Sequence, residues 1–293
     1  MQIEDLGGEE GLPEASKKVA LIDADTLVYT ACLNLEYTEE ILSREFYTDD
    51  EWEELTQHPY YSEEDSCIFN IDIDELIELC DTKILDIQGA TNTSSVELAF
   101  TNGGKKGFRY EVYPNYKGNR VGTRYPTGLQ QAKEILTNKY KSWLCTEYEA
   151  DDIVVFLKKK HPSKYVLCAI DKDVIYSVPG KHWNYYSSAK YDIDPKWVEV
   201  DKETAAQWHY KQCMMGDTND NIPGIPGIGK KRAQKLLDGL TSACDMWKVV
   251  VNTYESKNLT VIDALTNMRL VNMHQLYGDE TKPGIELWRP PCQ

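Results

Sequence analysis

Apolar positions along the chain follow two periods. Val19 to Ile22 form a short unbroken apolar run that stops at Asp23, the pattern of a parallel strand buried on both faces. Val96–Phe100 alternates into a second strand, and Tyr165–Ile170 is a third buried run, ending at Asp171. Between them the period changes to that of helices. Ile73, Leu76, Ile77, Leu79, Cys80, Ile84 and Leu85 mark a helix over 72–88. Further helices are predicted over 26–34, 127–144, 149–160, 202–215 and 230–237. Residues 35–70 are acidic and aromatic with no clean period, and read as an insertion carrying short helices. Phe108–Tyr113 reads as a short extended piece, 114–126 as a mobile loop, and 174–176 and 182–200 as short strands and hairpins. The tail reads as helical and then irregular. Strands alternating with helices predict an α/β fold with a parallel central sheet. Such sheets bind ligands beyond the carboxyl ends of their strands, where Asp23 and Asp171 stand.

Composition narrows this picture. The chain has 293 residues, 41% of them hydrophobic and 11% aromatic, enough for a packed core. No apolar run approaches the roughly 20 residues of a membrane span. The first ten residues are acidic and lack the pattern of a signal peptide, so a cytoplasmic location is expected, that of a host cell if the chain is viral. Residues 1–16 read as a flexible acidic leader. None of the eight cysteines forms a Cys-x-x-Cys pair, and reduced, buried thiols are expected for all of them.

The net charge of −16 argues against a nucleic-acid partner until its distribution is read. Residues 1–100 carry 26 acids and 4 bases, whereas residues 101–146 carry 9 bases and 2 acids. Residues 211–235 carry 5 bases and 2 acids. Two basic islands in an acidic chain can form one electrostatic footprint if they face the same way. In the first island Tyr110, Tyr113, Tyr116 and Tyr125 are interleaved with Lys105, Lys106, Arg109, Lys117, Arg120 and Arg124, a composition suited to stacking and gripping a single strand.

Four acidic motifs follow apolar runs or open helices: Asp23-Ala-Asp25, Glu149-Ala-Asp151-Asp152, Asp171-Lys-Asp173 and Asp217-Thr-Asn-Asp220. Converging, they would place six or more carboxylates in one pocket, which like-charge repulsion forbids without cations. Magnesium or manganese, hard cations that take carboxylate oxygens, resolve this, and two ions can serve phosphodiester hydrolysis. Asp25 reads as a cap or outer-sphere residue. Residues 215–233 carry a glycine- and proline-rich turn followed by a basic helix start, a phosphate-binding design. Gly224, Gly227 and Gly229 admit a close backbone approach, Ile225 and Ile228 anchor the turn, and Lys230, Lys231 and Arg232 add charge.

That string resembles the helix–three-turn–helix (H3TH) of the flap-endonuclease superfamily, and is similar to the 5′-nuclease domain of bacterial DNA polymerase I and to phage 5′ exonucleases. Leu21-Ile-Asp23-Ala, Tyr116-Lys-Gly-Asn-Arg120, Glu149-Ala-Asp-Asp152 and Asp171-Lys-Asp173 match in order, over about residues 18–270. The resemblance implies a PIN-like nuclease domain over 17–210, with an acidic insertion at about 35–70 and a gateway at about 105–145. An H3TH DNA-binding subdomain and tail follow over 211–293. It implies a metal-dependent 5′–3′ exonuclease or flap endonuclease acting on DNA with a free 5′ end, a flap or a junction, with RNA–DNA hybrids also open. It assigns two Mg2+ or Mn2+ ions to Asp23, Glu149, Asp151, Asp152, Asp171, Asp173, Asp217 and Asp220, and catalytic cations to Lys117 and Arg120. DNA contacts fall to Tyr116, Arg124, Gly224, Gly227, Gly229, Lys230, Lys231 and Arg232. A K+ ion is implied on backbone carbonyls of the turn at Ile225 and Ile228. One departure is Asn102, which stands where the family has an aspartate ligand and brings a carbonyl oxygen but no charge. It motivates an alternative, a catalytically weak DNA-structure binding protein.

Overall fold

The run that opens the sheet is apolar because both of its faces are covered. In the computed structural model, which describes residues 16–120 and 122–292, β1 (Ser16–Asp23) lies at the centre of the main sheet. The expected leader at 1–16 lies outside the described residues up to residue 15, and Ser16 already belongs to β1. The chain continues through α1 (Asp25–Leu35), β2 (Tyr37–Glu40), α2 (Asp49–Gln57), β3 (Tyr61–Ser62), β4 (Cys67–Asn70), α3 (Ile73–Thr91) and β5 (Thr93–Thr101). Next come α4 (Phe108–Val112), α5 (Leu129–Lys139), β6 (Lys141–Cys145), α6 (Ala150–Lys160), β7 (Tyr165–Cys168), α7 (Lys172–Tyr176), β8 (Gly180–Asn184) and β9 (Lys196–Val200). The remainder is α8 (Lys202–Met215), α9 (Lys230–Leu237), α10 (Ala243–Glu255), α11 (Val261–Val271), β10 (Leu276–Tyr277) and β11 (Gly284–Ile285).

The six-stranded sheet has the order β6-β5-β1-β7-β8-β9, parallel except for β9. Ala20 and Ile22 point into one core with α1, α3 and α5, while Val19 and Leu21 point into the other with α6 and α7. This two-sided alternation is what the unbroken apolar pattern requires. The chain runs from β1 outward to β5 and β6, then returns to add β7 and β8 on the opposite side. The order therefore reverses between β1 and β7, and doubly wound sheets hold ligands beyond the carboxyl ends of the strands at such a point. A third core is built by α8 to α11 around Met214, Trp247, Val250, Tyr254 and Met268, and Tyr116 from the basic island is buried in it. Helix α8 enters two cores, with Ala205 in one and Cys213 in the other.

Several sequence expectations are corrected here. Residues 35–70 hold one helix, α2, but also a three-stranded antiparallel sheet in the order β2-β4-β3. The helix expected over 127–144 stops at Lys139, and Lys141–Cys145 is an edge strand paired with β5. Phe108–Val112 is helical instead of extended, and 174–176 lies in α7, a helix that Asp171 caps by accepting from the Asp173 N–H. Six cysteines are buried thiols, but Cys244 and Cys292 form a disulfide that ties the tail to α10. No helix among the described residues is long and apolar enough to cross a membrane.

Candidate active site

The reversal point gathers carboxylates from three separate segments. Asp23 ends β1 and is 2% exposed. Asp171 and Asp173 follow β7, and Asp173 is buried. Glu149 is the N-cap of α6, with Asp151 and Asp152 in its first turn. Burial first, then the charges of Asp25 and Asp171, push the Asp23 carboxyl up to about 8. Burial and Asp171 push Asp173 to about 7, and burial, Asp23 and Asp171 raise Asp151 well above the usual range. These residues therefore sit close enough to repel one another. Asp23 Oδ1 and Asp173 Oδ1 are buried with no hydrogen-bond partner, which among oxygen atoms marks a cost unless a cation faces them.

A second tier is neutralised by the chain's own cations. Glu149 accepts from Lys117 Nζ and from Tyr116 Oη at 2.8 Å. Burial alone would raise its carboxyl, but Lys117 and Arg109 overcome that and hold it at about 2. Asp220 receives Arg120 Nη2 at 2.5 Å and lies 2.9 Å from the same Tyr116 hydroxyl. One hydroxyl proton cannot serve two carboxylates fully, so Tyr116 bridges them as a strut. Asp220 is itself raised by burial.

The placement follows from a docked loop. Residues 115–120, expected to be mobile, are bound to the turn at 217–222 by seven hydrogen bonds that include Lys117 N–H to Asp220 O at 2.9 Å, Asn119 Nδ2 to Thr218 O at 2.8 Å and Asn221 Nδ2 to Asn115 O at 2.7 Å. Lys117 takes a positive φ of 52°, a conformation non-glycine residues rarely adopt, and this turns its side chain onto Glu149.

Some expected ligands play other parts. Both oxygens of Asp152 are engaged by buried Arg109, at 2.6 and 2.8 Å, and Oδ2 also caps the Glu149 N–H at 3.0 Å. Arg109 further donates Nε to Leu270 O at 2.7 Å, tying α4 to α11. Asp152 thus orients the start of α6, and Arg109 is an internal brace where the sequence suggested a strand contact. Asp25 is held by the Thr101 N–H at 3.0 Å and by Lys133 Nζ, consistent with its reading as an outer residue. Asn102 is exposed, its N–H bonded to Cys145 O at 2.7 Å, and it lines a separate 210 Å³ cavity with Lys133 and Gln130. Asp217 accepts from the Asn219 N–H at 2.7 Å and shapes the turn. Sequence reading missed Tyr185, whose hydroxyl donates to Asp23 O at 2.6 Å, and Lys133; neither lies in a motif.

Among the DNA contacts expected, Tyr116 is buried and offers no ring to a strand, and the Arg124 fork is filled by Glu36. The Lys105 side chain lies outside the described residues. The turn before α9 matches expectation in its tightness. Gly216 at φ +69° and Gly224 pass backbone to backbone, and a methyl on Gly224 would overlap the Met215 carbonyl oxygen. Ile225 is buried, Ile228 N–H donates to Ile225 O at 3.0 Å, and Arg232 Nη1 covers the Gly227 carbonyl at 2.8 Å. Lys230 and Lys231 are exposed at the α9 N-terminus.

Among the described residues, no three His, Cys, Asp or Glu side chains are placed so that together they could hold a metal ion as they stand. The carboxylates are arranged as a repelling group with two orphaned oxygens, and an all-oxygen donor set of this kind fits hard divalent cations.

No protein-family model matches the chain. It is 33% identical to the thermostable DNA polymerase I of Thermus aquaticus over 138 residues, 45% of this chain and 16% of that protein. It is 27% identical to the exodeoxyribonuclease of enterobacteria phage T3 over 221 residues, 73% of this chain and 64% of that one. The match thus spans under two thirds of the length of these relatives. Among solved structures, the bacteriophage T5 5′-exonuclease with bound zinc superposes with a TM-score of 0.58 at 17% identity, covering 87% of this chain and 89% of that one. The same phage's flap endonuclease, in complex with DNA and metal ions, gives 0.56. By sequence the chain is a homologue of DNA polymerase I and of a phage exodeoxyribonuclease, and by fold, a parallel sheet flanked by helices, it stands with the phage 5′-exonuclease.

Proposed function

We propose that the chain is a divalent-metal-dependent 5′ nuclease that hydrolyses phosphodiesters at or near the 5′ ends of DNA, as exonuclease, flap endonuclease or both. The observation that carries this is the convergence of Asp23, Asp151, Asp171 and Asp173 at the carboxyl ends of β1 and β7, with two of their oxygens buried and unpaired. Homology to a polymerase and an exodeoxyribonuclease, and the metal ions and DNA held by structural neighbours, support the same reading.

Asp23, Asp151, Asp171 and Asp173 would hold the cations, Mg2+ or Mn2+ and two in number, with Glu149, Asp217 and Asp220 supporting. Bound there, such ions lower the pKa of water and stabilise a leaving oxygen. The chain's own groups do the rest. Lys117, fixed at the edge of the cluster, supplies a point charge to the phosphate, and Arg120, half exposed, supplies a planar fork. Tyr116 holds Glu149 and Asp220 at a fixed separation. Asp152 is withdrawn from the ligand set by Arg109.

The turn at 224–229 and the start of α9 form the duplex grip we infer, an H3TH-like element in which Lys230 and Lys231 meet phosphate; the K+ ion the resemblance implies there would have to share the turn with Arg232, which covers the Gly227 carbonyl. We place the nuclease domain over 17–210 and the DNA-binding subdomain over 211–293, with a cytoplasmic location. The test is cleavage of 5′-labelled flap and blunt duplexes, with an RNA–DNA hybrid alongside. Loss of cutting in EDTA and in Asp171→Ala supports the proposal. Cutting that persists in EDTA overturns it.

A further inference from the structure

The loop that carries Lys117 and Arg120 is pinned at two ends. One end is the docked segment 115–120. The other is clasped by the acidic insertion, at a residue no motif includes. Glu36, directly after α1, receives Arg124 Nη1 at 2.7 Å and Nη2 at 2.6 Å, and the Thr127 N–H at 2.6 Å. The guanidinium lies 3.5 Å from the centroid of the Phe69 ring in β4, and Thr127 Oγ1 donates to Phe69 O at 3.5 Å. The Glu36 side chain is 8% exposed, and despite partial burial Arg124 and Thr127 hold its carboxyl at about 2.

Gly122 and Gly128 bracket the segment with φ of +84° and +76°. Thr123 N–H donates to Arg120 O at 3.2 Å. At its tip Tyr125 is 74% exposed, the most exposed large apolar side chain among the described residues. Arg124 gives its charge to Glu36, which leaves Tyr125 as the segment's surface for a ligand. An exposed ring on the same loop as Lys117 and Arg120 suits a nucleobase of an unpaired strand, since every base offers a face to stack.

We propose that Glu36 is a positioning residue: its clasp on Arg124 makes the acidic insertion the outer anchor of the loop and holds Tyr125 out as a stacking platform for an unpaired 5′ strand. This rests on the nuclease reading for its biological meaning, but its test does not need cleavage. The full chain, in EDTA, is titrated into a fluorescein-labelled single-stranded oligothymidylate and into a labelled blunt duplex, and anisotropy is read. Tyr125→Ala and Glu36→Gln are each expected to weaken single-strand binding roughly tenfold, the size of one lost base stack. Duplex affinity changes less than about twofold. Amide exchange over 122–128 quickens at least about tenfold in Glu36→Gln, while β1 and β5 keep their protection. Unchanged single-strand affinity in either variant, equal losses on both ligands, or unchanged exchange overturns the latch. A wild-type chain that binds the single strand as described but cuts nothing in Mg2+ overturns the nuclease reading and leaves the latch standing.

Discussion

Replacing Arg109 by methionine removes a buried cation whose partners are all defined. Arg109 is 3% exposed and makes two bonds to Asp152, at 2.6 and 2.8 Å, and one to Leu270 O at 2.7 Å. Methionine fills much of the volume but leaves the Asp152 carboxylate, 1% exposed, without its counter-charge. Stranding one member of a buried pair costs about 3–5 kcal/mol. For a chain of this size that corresponds to a fall in melting temperature of about 5–8 °C. The double variant Arg109→Met/Asp152→Leu removes both charges, and similar replacements of whole buried pairs are near neutral, so most of the loss is expected to return. Thermal unfolding followed by circular dichroism, with a urea titration beside it, reads both. Glu149 should suffer in either variant, because Asp152 also caps its N–H and Arg109 helps keep it ionised. Activity therefore stays low in the double variant even as stability recovers. A single variant destabilised by less than about 1 kcal/mol, or a double variant no better than the single, refutes this assignment of the brace.

Other expectations follow from the same geometry. Lys117→Ala should lower kcat about a hundredfold with little change in KM, the signature of a charge used mainly in the transition state and read by steady-state kinetics. Asp151→Asn should raise the melting temperature in EDTA, because burial and two aspartates disfavour its charge, yet abolish the stabilisation that Mg2+ gives the wild type. His182 is fully buried and held neutral, its pKa lowered to about 4 by burial, so its stability is full above about 6.5 and is lost as pH falls towards 4. That loss is about 3 kcal/mol, and His182→Gln should flatten the stability curve across this window. Gly224→Ala should destabilise by more than about 2 kcal/mol because the obstacle is backbone, whereas Gly229→Ala, with nothing nearby, should be close to neutral.

The sheet and most of its helices were legible because their periods reflect burial on two faces. β1, β5 and β7 are as apolar as their positions between two cores demand, α8 begins at its Asp201 cap and ends at Gly216, and α9 begins directly after Gly229. β6 escaped because an edge strand is short and its Leu144 is half exposed, so its pattern continues that of α5. α4 escaped because Phe108, Tyr110 and Val112 favour strands, while the fold needs Arg109 turned inward to Asp152. The disulfide joins cysteines 48 residues apart, a pairing that spacing alone does not reveal. The carboxylates of the site were readable as motifs, since each caps or opens an element. Their division into repelling and neutralised groups was not, because it depends on Lys117, Arg109 and Tyr116 reaching them from distant segments. The same holds for Arg124, whose charge looked available until Glu36 was placed against it.

The most direct measurement pairs the wild type with Asp151→Ala/Asp171→Ala on a 5′-labelled flap duplex and a blunt duplex, in Mg2+, in Mn2+ and in EDTA. The expected result is cutting near the flap junction or stepwise release from the 5′ end, in either metal, absent in EDTA and in the double variant. Tight, structure-selective binding by the wild type without cutting in either metal would contradict the nuclease reading.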